Sequence, residues 1–191
     1  EDDVTAFRIA RMPEVLMIND AQLNPEEVEE TLLQAVEQAL LQFMESRERE
    51  GEQLKADILQ KLSGMTGNIA GIEERYPQMA RDYRKKLTDK VKELLADSNV
   101  DESRIATEVV IYADKICVDE ETVRLRSHIS NMEEELIRGG NVGRKLDFIA
   151  QEMNREANTI LSKANDITVS NMAIDLKTEI EKIREQIQNI E

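Results

Sequence analysis

Apolar residues recur every three or four positions over most of the chain, in long stretches that short polar breaks separate. This spacing places them on one face of an α-helix. The first stretch follows "LNPEEVEE", in which Asn24 is suited to the N-cap and Pro25 to the first helical position. Its apolar row is Val28, Leu32, Val36, Leu40, Phe43, Leu54, Ile58 and Leu62. We therefore predict a long helix that begins at Pro25.

A turn is predicted next, because "SGMTGN" carries Gly64 and Gly67 close together. A second helix would then return along the first, with the apolar row Ile69, Ile72, Tyr76, Met79, Tyr83, Leu87, Val91 and Leu94. Pro77 lies within this row and is expected to kink or divide the helix, because it lacks a backbone donor. Residues 25–100 are thus predicted to form one long helical hairpin.

Three further helices are predicted in residues 101–191, which we interpret as a C-terminal helical domain. The third helix follows "ADSNVDES", with Asp101 or Ser103 as its cap, and ends near Arg138 before "RGGNVG". The fourth covers about 142–165 and the last about 168–190. The last has a coiled-coil-like row of Val169, Met172, Leu176, Ile180, Ile183, Ile187 and Ile190. In a purely structural interpretation this row is an oligomerisation surface.

Residues 1–24 show no sustained period, and "FRIARMPEVLMIND" is compatible with a short strand, a turn at Pro13 and a second extended piece. The chain begins at Glu1 without a methionine, so we expect a fragment in which residues 1–24 are the remnant of an N-terminal domain. The predicted fold class is mainly α, a bundle of long helical hairpins with a short irregular or strand-containing N-terminal piece.

Composition agrees with a helical protein, because aromatic residues make up 3% and there are only seven glycines and three prolines. The net charge of −15 argues against a nucleic-acid partner unless basic residues cluster locally. The single cysteine, Cys117, excludes an intramolecular disulfide and a cysteine-based zinc site, and fits a reducing cytosol. No apolar run approaches the roughly 20 residues of a membrane span. We expect no membrane association and a cytoplasmic location.

The fourth helix carries an unusual polar row beside its predicted core residues. The core row is Leu146, Ile149, Met153, Ala157, Ile160 and Ala164, and the polar row is Asp147, Gln151, Asn154, Asn158, Ser162 and Asn165. Arg144 and Arg155 border the polar row, whereas Glu152 and Glu156 lie with Lys145 and Lys163 on the opposite flank. Amides both donate and accept hydrogen bonds, so the row suits a neighbouring helix or the ribose and base edges of RNA. Hydrogen bonding inside the bundle or an oligomer is the plainer alternative.

His128, the only histidine, lies on the third helix in a polar row with Asp114, Cys117, Glu121, Arg124 and Glu135. Glu121 and His128 are about 10.5 Å apart along a helix axis, too far to bind one metal ion without another helix. Arg124 is four residues from His128, so the pair could hold a phosphate beside a neutral imidazole base. A histidine that hydrogen-bonds at a helix contact explains the same pattern.

A basic cluster occurs in "ARDYRKKLTDKVK", where Arg81, Arg84, Lys85, Lys86, Lys90 and Lys92 surround Tyr83. Such a patch can attract phosphates even on an acidic protein. It is also compatible with an ordinary solvated helix face, since Asp82 and Asp89 reduce its charge. The sequence contains no glycine-rich phosphate loop, no paired-cysteine spacing and no nucleophile elbow.

Three C-terminal segments together resemble the signature of the bacterial YicC/YloC family: "DEETVRLRSH", "GRKLDFIAQEMNREANTILSKA" and "AIDLKTEIEKIREQIQNIE". "RMPEV" and "SREREGEQLKADI" upstream are similar to that family as well, so the resemblance spans nearly the whole chain. We expect the leading third of the family's proteins to have no counterpart in this chain. Cys117 departs from the family pattern, which often has aspartate there, and this weakens a metal-binding role at that position.

The resemblance implies an endoribonuclease that cuts single-stranded RNA with the help of a divalent metal, Mn or Mg, and assembles as a homo-oligomer, a hexamer, without a small-molecule cofactor. Carried onto this sequence, it makes His128, Glu121 and Glu156 the candidate catalytic residues. The candidate RNA contacts are Arg124, Arg144, Gln151, Asn154, Arg155, Asn158 and Lys163, and the candidate metal ligands are Glu121, Asp147, Glu152 and Glu156. In this interpretation His128 or a carboxylate deprotonates a ribose 2′-hydroxyl or a water, and oligomerisation forms the groove. The alternative function is a non-catalytic helical RNA-binding or adaptor protein that modulates another ribonuclease.

Overall fold

The structure, a computed structural model, describes residues 4–16, 24–95 and 102–190. Within these ranges the chain forms six α-helices and no strand. The helices are α1 (Ala6–Ala10), α2 (Pro25–Leu95), α3 (Glu102–Ile116), α4 (Asp119–Arg138), α5 (Gly143–Lys163) and α6 (Ile167–Ile187). The mainly helical class is confirmed, and the described residues of the irregular or strand-containing N-terminal piece form the short helix α1 and no strand. The second extended piece, predicted after Pro13, falls partly outside the described ranges. The proposed cap Asp101 falls wholly outside them.

The predicted hairpin in residues 25–100 is wrong, because α2 is a single helix of 71 residues. Its start is as predicted, with the Asn24 side chain accepting a hydrogen bond from the amide of Glu26 at 3.2 Å. The helix continues through Gly64 and Gly67 and through Pro77. The apolar row that crosses the two glycines is fully buried: Ile58, Leu62, Met65, Ile69 and Ile72. Burying each such side chain contributes about 1.5–3 kcal/mol, which outweighs the roughly 1 kcal/mol that each glycine costs.

The chain is divided into two compact units, Glu1–Glu48 and Arg49–Glu191. These boundaries differ from the predicted divisions after residues 24 and 100. None of the described residues in the first unit is buried, and the apolar row of α2 in that unit is exposed. Its large members, between 45% and 66% exposed, are Val28, Leu32, Leu33, Val36, Leu40, Leu41, Phe43 and Met44.

The second unit is a helical bundle in which α4, α5, α6 and the part of α2 from Arg49 onward share one core. Asp166, just before α6, bonds Arg75 of α2, whereas Gln186 near the end of α6 bonds Asp57, so α2 and α6 run antiparallel. The apolar row of α6 is buried in this core, including Val169, Leu176, Ile180, Ile183 and Ile187. That row is therefore occupied within the chain, which corrects the idea of an oligomerisation seam.

The predicted third helix is divided in two, because Cys117 and Val118 separate α3 from α4. Val118 is buried, and three acidic residues fill the first turn of α4, where they suit the positive end of the helix dipole. Because of the break, Ile111 of α3 does not continue the buried row of α4 that contains Leu125, and it is 55% exposed. Five of the six predicted core residues of α5 are buried, whereas Ala164 lies just past the helix and is partly buried. The end of α4 at "RGGNVG" is confirmed.

Among the described helices, none contains an apolar stretch long enough to cross a membrane.

Candidate functional site

Helix α5 presents polar side chains to α4 on one side and to α6 on the other. We call the first side the charged flank, formed by Lys145, Glu152, Glu156 and Lys163 with the facing residues of α4. We call the second the amide flank, formed by Asp147, Gln151, Asn154 and Asn158. Contacts with α4 and with α6 place these two rows on opposite sides of the buried apolar row of α5, as the sequence predicted.

At one end of the charged flank, Glu121 in the first turn of α4 is only 7% exposed. The Lys163 ammonium lies 2.8 Å from Glu121 Oε1 and also donates to the backbone oxygen of Cys117 at 2.9 Å. Lys163 thus satisfies a carbonyl left free where α3 ends. Glu121 Oε2 is buried and has no hydrogen-bond partner among the described residues. A buried carboxylate oxygen without a partner is costly, so this atom is a candidate ligand for a cation or a donor from outside the chain.

One helical turn further along α4, Arg124 reaches the carboxylate of Glu156 on α5. Its Nη1 lies 3.5 Å from Glu156 Oε1, and the Glu156 side chain is 6% exposed. Arg124 also pairs with Glu120 on its own helix. The guanidinium is half exposed, so it neutralises a buried carboxylate while keeping an open side toward solvent.

His128 lies on the same side of α4, since it is seven residues from both Glu121 and Glu135, and seven residues span almost two helical turns. Both glutamates contact lysines of α5, Lys163 and Lys145 respectively. His128 is midway between them and partly exposed. In the antiparallel α4–α5 pair this position falls opposite the turn of α5 that carries Glu152 and Glu156. The imidazole therefore belongs to the charged flank.

At the other end of the charged flank, Glu135 is buried between two cations. Lys145 Nζ lies 2.8 Å from its carboxylate, and Arg138 donates to the same oxygen. The hydrogen bond from Lys145, together with the charges of both cations, holds the pKa of Glu135 below its usual value. Sequence reasoning placed Glu135 in the polar row but missed this ion-pair cluster. The seven-residue spacing from His128 was the available signal.

On the amide flank, Asp147 accepts a hydrogen bond from Gln151 at 2.7 Å and lies 3.4 Å from Arg184 of α6. Asn154 Oδ1 is buried without a partner among the described residues. A shallow groove of about 480 Å³ follows this flank, lined by Gln151, Asn154, Arg155, Asn158, Thr159 and Ser162. On its α6 side, Asn154 also lines a cavity of about 570 Å³. The amides are therefore largely available to a polar partner.

The predicted site residues form two groups within one chain. Glu121, Arg124, His128, Glu156 and Lys163 lie on the charged flank, with Glu152 beside them. Asp147, Gln151, Asn154, Arg155 and Asn158 lie on or beside the amide flank, and Arg144 is exposed at the start of α5. One chain thus does not gather all of them into one pocket.

The predicted metal ligands are engaged in ion pairs. Lys163 holds Glu121, Arg124 holds Glu156, Arg184 holds Asp147, and Arg155 lies 3.7 Å from Glu152. Within the described ranges, no group of three or more histidine, cysteine, aspartate or glutamate residues is placed to hold a metal ion.

Comparison with known sequences covers nearly the whole chain. The profile described as "Endoribonuclease YicC-like, C-terminal" matches residues 72–191, and "Endoribonuclease YicC-like, N-terminal region" matches residues 1–56. The chain is 43% identical over all its 191 residues to a protein of Clostridioides difficile named "Probable endoribonuclease YicC". It is 35% identical over the same length to a Haemophilus influenzae protein of the same name. In each case it spans 65% of the relative's length.

Proposed function

Because the chain belongs to the YicC-like endoribonuclease family, we propose that it is part of an endoribonuclease that cleaves single-stranded RNA. Relatives named as probable endoribonucleases support the reaction class. The structural feature that supports it most directly is the charged flank. There the buried Glu121 has a free carboxylate oxygen on the side of α4 that also carries the only histidine.

In the proposed reaction, His128 or the carboxylate of Glu156 removes a proton from the attacking oxygen. That oxygen is either the ribose 2′-hydroxyl or a water molecule. The open side of the Arg124 guanidinium stabilises the negative charge that builds on the phosphate. His128 is partly exposed on α4, and Arg124, one helical turn before it, contacts the buried Glu156 of α5 at 3.5 Å, so a phosphate bound by Arg124 would lie near both candidate bases.

A divalent metal, Mn or Mg, could bind at the charged flank only if the protein supplied a small part of its ligands. Mg²⁺ in nucleotide enzymes commonly uses one or two carboxylates and completes its shell with waters and phosphate oxygens. Glu121 would be the first ligand, through its free Oε2, and either Glu156 or Glu152 would be the second, since no three such residues in the described ranges are placed to hold one ion. Asp147 lies on the amide flank, so it could join them only from a second subunit. When bound, the metal would offset the repulsion between RNA and an acidic protein and polarise the phosphate.

RNA contacts are proposed along the amide flank, where Gln151, Asn154 and Asn158 offer hydrogen bonds and Arg144 and Arg155 offer positive charge. Lys163 is a weaker candidate for phosphate, because it is already held by Glu121 and the Cys117 carbonyl. Since the two flanks lie on opposite sides of α5, we propose that a homo-oligomer, a hexamer in the cytoplasm, brings the charged flank of one subunit close to the amide flank of another.

The second candidate function is a non-catalytic RNA-binding or adaptor protein. It is favoured by the ion pairs that engage all four predicted carboxylate ligands. A protein of this kind would use the amide flank to bind RNA and leave the chemistry to a partner nuclease.

Cleavage of a labelled single-stranded RNA by the highly purified protein separates the two functions. The nuclease proposal expects cleavage that EDTA abolishes and that added Mg²⁺ or Mn²⁺ restores. Product ends identify the nucleophile, because 2′,3′-cyclic phosphates indicate attack by the 2′-hydroxyl and 5′-phosphates indicate attack by water. Binding without cleavage under every metal condition would favour the adaptor.

A further inference from the structure

A basic surface on the second half of α2 lies apart from both flanks of α5. It comprises Arg81, Arg84, Lys85, Lys86, Lys90 and Lys92, which we call the basic segment. Within residues 81–92 only Asp82 and Asp89 oppose these six cations, so the segment carries a net charge of +4 in a protein of −15. Except for Lys90, which pairs with Glu93, these cations pair with no carboxylate in the part of the chain that the structure describes.

Two cavities border the basic segment. The larger, of about 830 Å³, is lined by Tyr83 of α2, Tyr112 of α3 and the turn residues Asn165 and Asp166, and we call it the tyrosine cavity. The smaller, of about 430 Å³, is lined by Arg81, Arg84, Lys85, Thr88, Asp89, Lys92, Glu102 and Ile105, and we call it the arginine cavity. Lys85 and Asp89 line both, so the two cavities adjoin.

Tyr83 and Tyr112 stack face to face, with ring centroids 3.8 Å apart and planes inclined by 12°. Each ring is only partly buried, and both line the tyrosine cavity. Aromatic rings that line an open cavity bind unpaired bases by stacking, because every base has a flat π face. A duplex base cannot enter such a cavity, since its faces are already stacked.

The charges of the two cavities differ in a way that suits a nucleotide. In the tyrosine cavity, Arg75 pairs with Asp82 at 3.0 Å and with Asp166 at 2.7 Å, and Lys90 pairs with Glu93. Most of its carboxylates are thus neutralised. The arginine cavity has four cations against Asp89 and Glu102, a balance of +2. A base therefore fits the first cavity and its phosphates the second.

We propose that the basic segment and the Tyr83–Tyr112 pair form a second binding site for single-stranded RNA, separate from the site of cleavage. The proposal rests on the proposed function, because it takes RNA as the ligand. Asn165, which lines the tyrosine cavity, is two residues beyond Lys163 of the Lys163–Glu121 pair. An RNA strand bound in this cavity therefore lies at the same end of the bundle as Glu121. In this proposal the second site binds long RNA and brings it to the charged flank.

The test measures the affinity of the protein for a fluorescent single-stranded RNA of about 20 nucleotides by anisotropy, in EDTA so that binding is separated from cleavage. Tyr83→Leu is expected to weaken binding about 5- to 150-fold through the loss of base stacking, whereas Tyr83→Phe keeps the wild-type affinity within about twofold. Arg84→Glu is expected to weaken binding and to reduce the slope of log Kd against log salt concentration by about 1.

Lys55→Glu is the matched control for Arg84→Glu, because it makes the same charge change on the same helix. Lys55 forms only a surface pair with Glu52 at 3.7 Å, so the control is expected to bind like the wild type within about twofold. Thermal unfolding checks that each variant is folded. If folded Arg84→Glu and Tyr83→Leu bind RNA as tightly as Lys55→Glu, the second site is refuted.

Failure of the second site and failure of the nuclease proposal give different results. Cleavage of a four-nucleotide RNA at saturating concentration is expected to be equal for Arg84→Glu and the wild type, since so short an RNA occupies the cleavage site alone. If the wild type cleaves no RNA, the nuclease proposal fails while the anisotropy data still decide the second site. If Arg84→Glu slows the four-nucleotide substrate as much as the long one, the cavity is not a separate site.

Discussion

Lys163 on the last turn of α5 lies 2.8 Å from the buried carboxylate of Glu121 on the first turn of α4. The same ammonium holds the carbonyl of Cys117, so one side chain fixes the junction between α3 and α4 to α5. This contact leaves Glu121 Oε2 buried and without a partner among the described residues. The geometry of the charged flank therefore depends on Lys163.

Lys163→Met is expected to destabilise the protein by roughly 1–3 kcal/mol, because it leaves a buried carboxylate without its cation. The double variant Glu121→Gln/Lys163→Met should lose less than the sum of the two single losses, since it removes the charge together with its partner. Urea unfolding followed by circular dichroism measures these differences. A loss below about 0.5 kcal/mol for Lys163→Met would show that the pair contributes nothing to stability.

Asp166 gives a pH-dependent contribution to stability. The hydrogen bond from Arg75 holds the pKa of Asp166 below its normal value, and the backbone amides at the start of α6, which also donate to Asp166, lower it further. The unfolded carboxyl titrates near 3.9, so the contribution is complete above about pH 5 and is lost as the pH falls through the lower, folded pKa. Asp166→Asn should therefore lower the free energy of unfolding by about 1 kcal/mol at pH 7, with the difference from wild type vanishing in acid.

Unfolding of Asp166→Asn in urea at several pH values between about 2.5 and 7 measures this difference. Asp175→Asn on α6 is the control, because Asp175 is exposed and forms no ion pair in the described part of the chain. The control should parallel the wild type at every pH. An Asp166→Asn difference that stays constant into acid would contradict the role of the Arg75 pair.

Two glycines provide opposite predictions. A methyl group on Gly143, at the start of α5, would lie 2.5 Å from the backbone oxygen of Ile190, so Gly143→Ala forces the C-terminal segment to shift and should cost about 1–3 kcal/mol. Gly67 lies in the exposed interior of α2 with nothing within 4 Å of the added methyl. Gly67→Ala should stabilise the protein by up to about 1 kcal/mol. Thermal melts that rank the two variants in the reverse order would contradict the described packing at Ile190.

The amide flank is expected to act in RNA binding and not in bond cleavage. Asn158→Ala and Arg155→Ala should raise KM for RNA about fivefold each, with kcat nearly unchanged, because the contacts they remove are equal in the ground and transition states. Asn171→Ala, on the exposed side of α6, should leave both constants unchanged. A fall in kcat without a change in KM would move these residues into the chemistry.

The sequence predicted the helical class, the core of α5 and its two polar flanks, because a 3.6-residue period fixes which side chains share a face. It failed at Gly64 and Gly67, where the turn propensity of glycine was overridden by a buried apolar row that only tertiary packing reveals. It also missed the break at Cys117, because no proline or glycine marks it. At the break, Lys163 donates to the Cys117 carbonyl from 46 residues away, a contact that local sequence does not reveal.

The sequence predicted which residue types the candidate site contains, but not which of these residues contact each other. The spacing of His128 with Glu121 placed them on one side of a helix, and α4 is continuous over both residues. The pairing of Glu121 with Lys163, and of Asp147 with Arg184, depends on which helices become neighbours, and sequence spacing within one helix carries no such information. The sequence therefore predicted the two polar rows of α5 but not which neighbouring helix each row contacts.

The most direct test of the charged flank as the active site is the rate of RNA cleavage by purified His128→Ala and Glu121→Gln in Mg²⁺ or Mn²⁺. Both should lose at least about 100-fold in kcat, as expected when a general base or metal ligand is removed, while remaining folded and able to bind RNA. Glu134→Gln, an exposed glutamate on the same helix, should retain activity within about twofold. Wild-type cleavage rates in both His128→Ala and Glu121→Gln would contradict the assignment of catalysis to this flank.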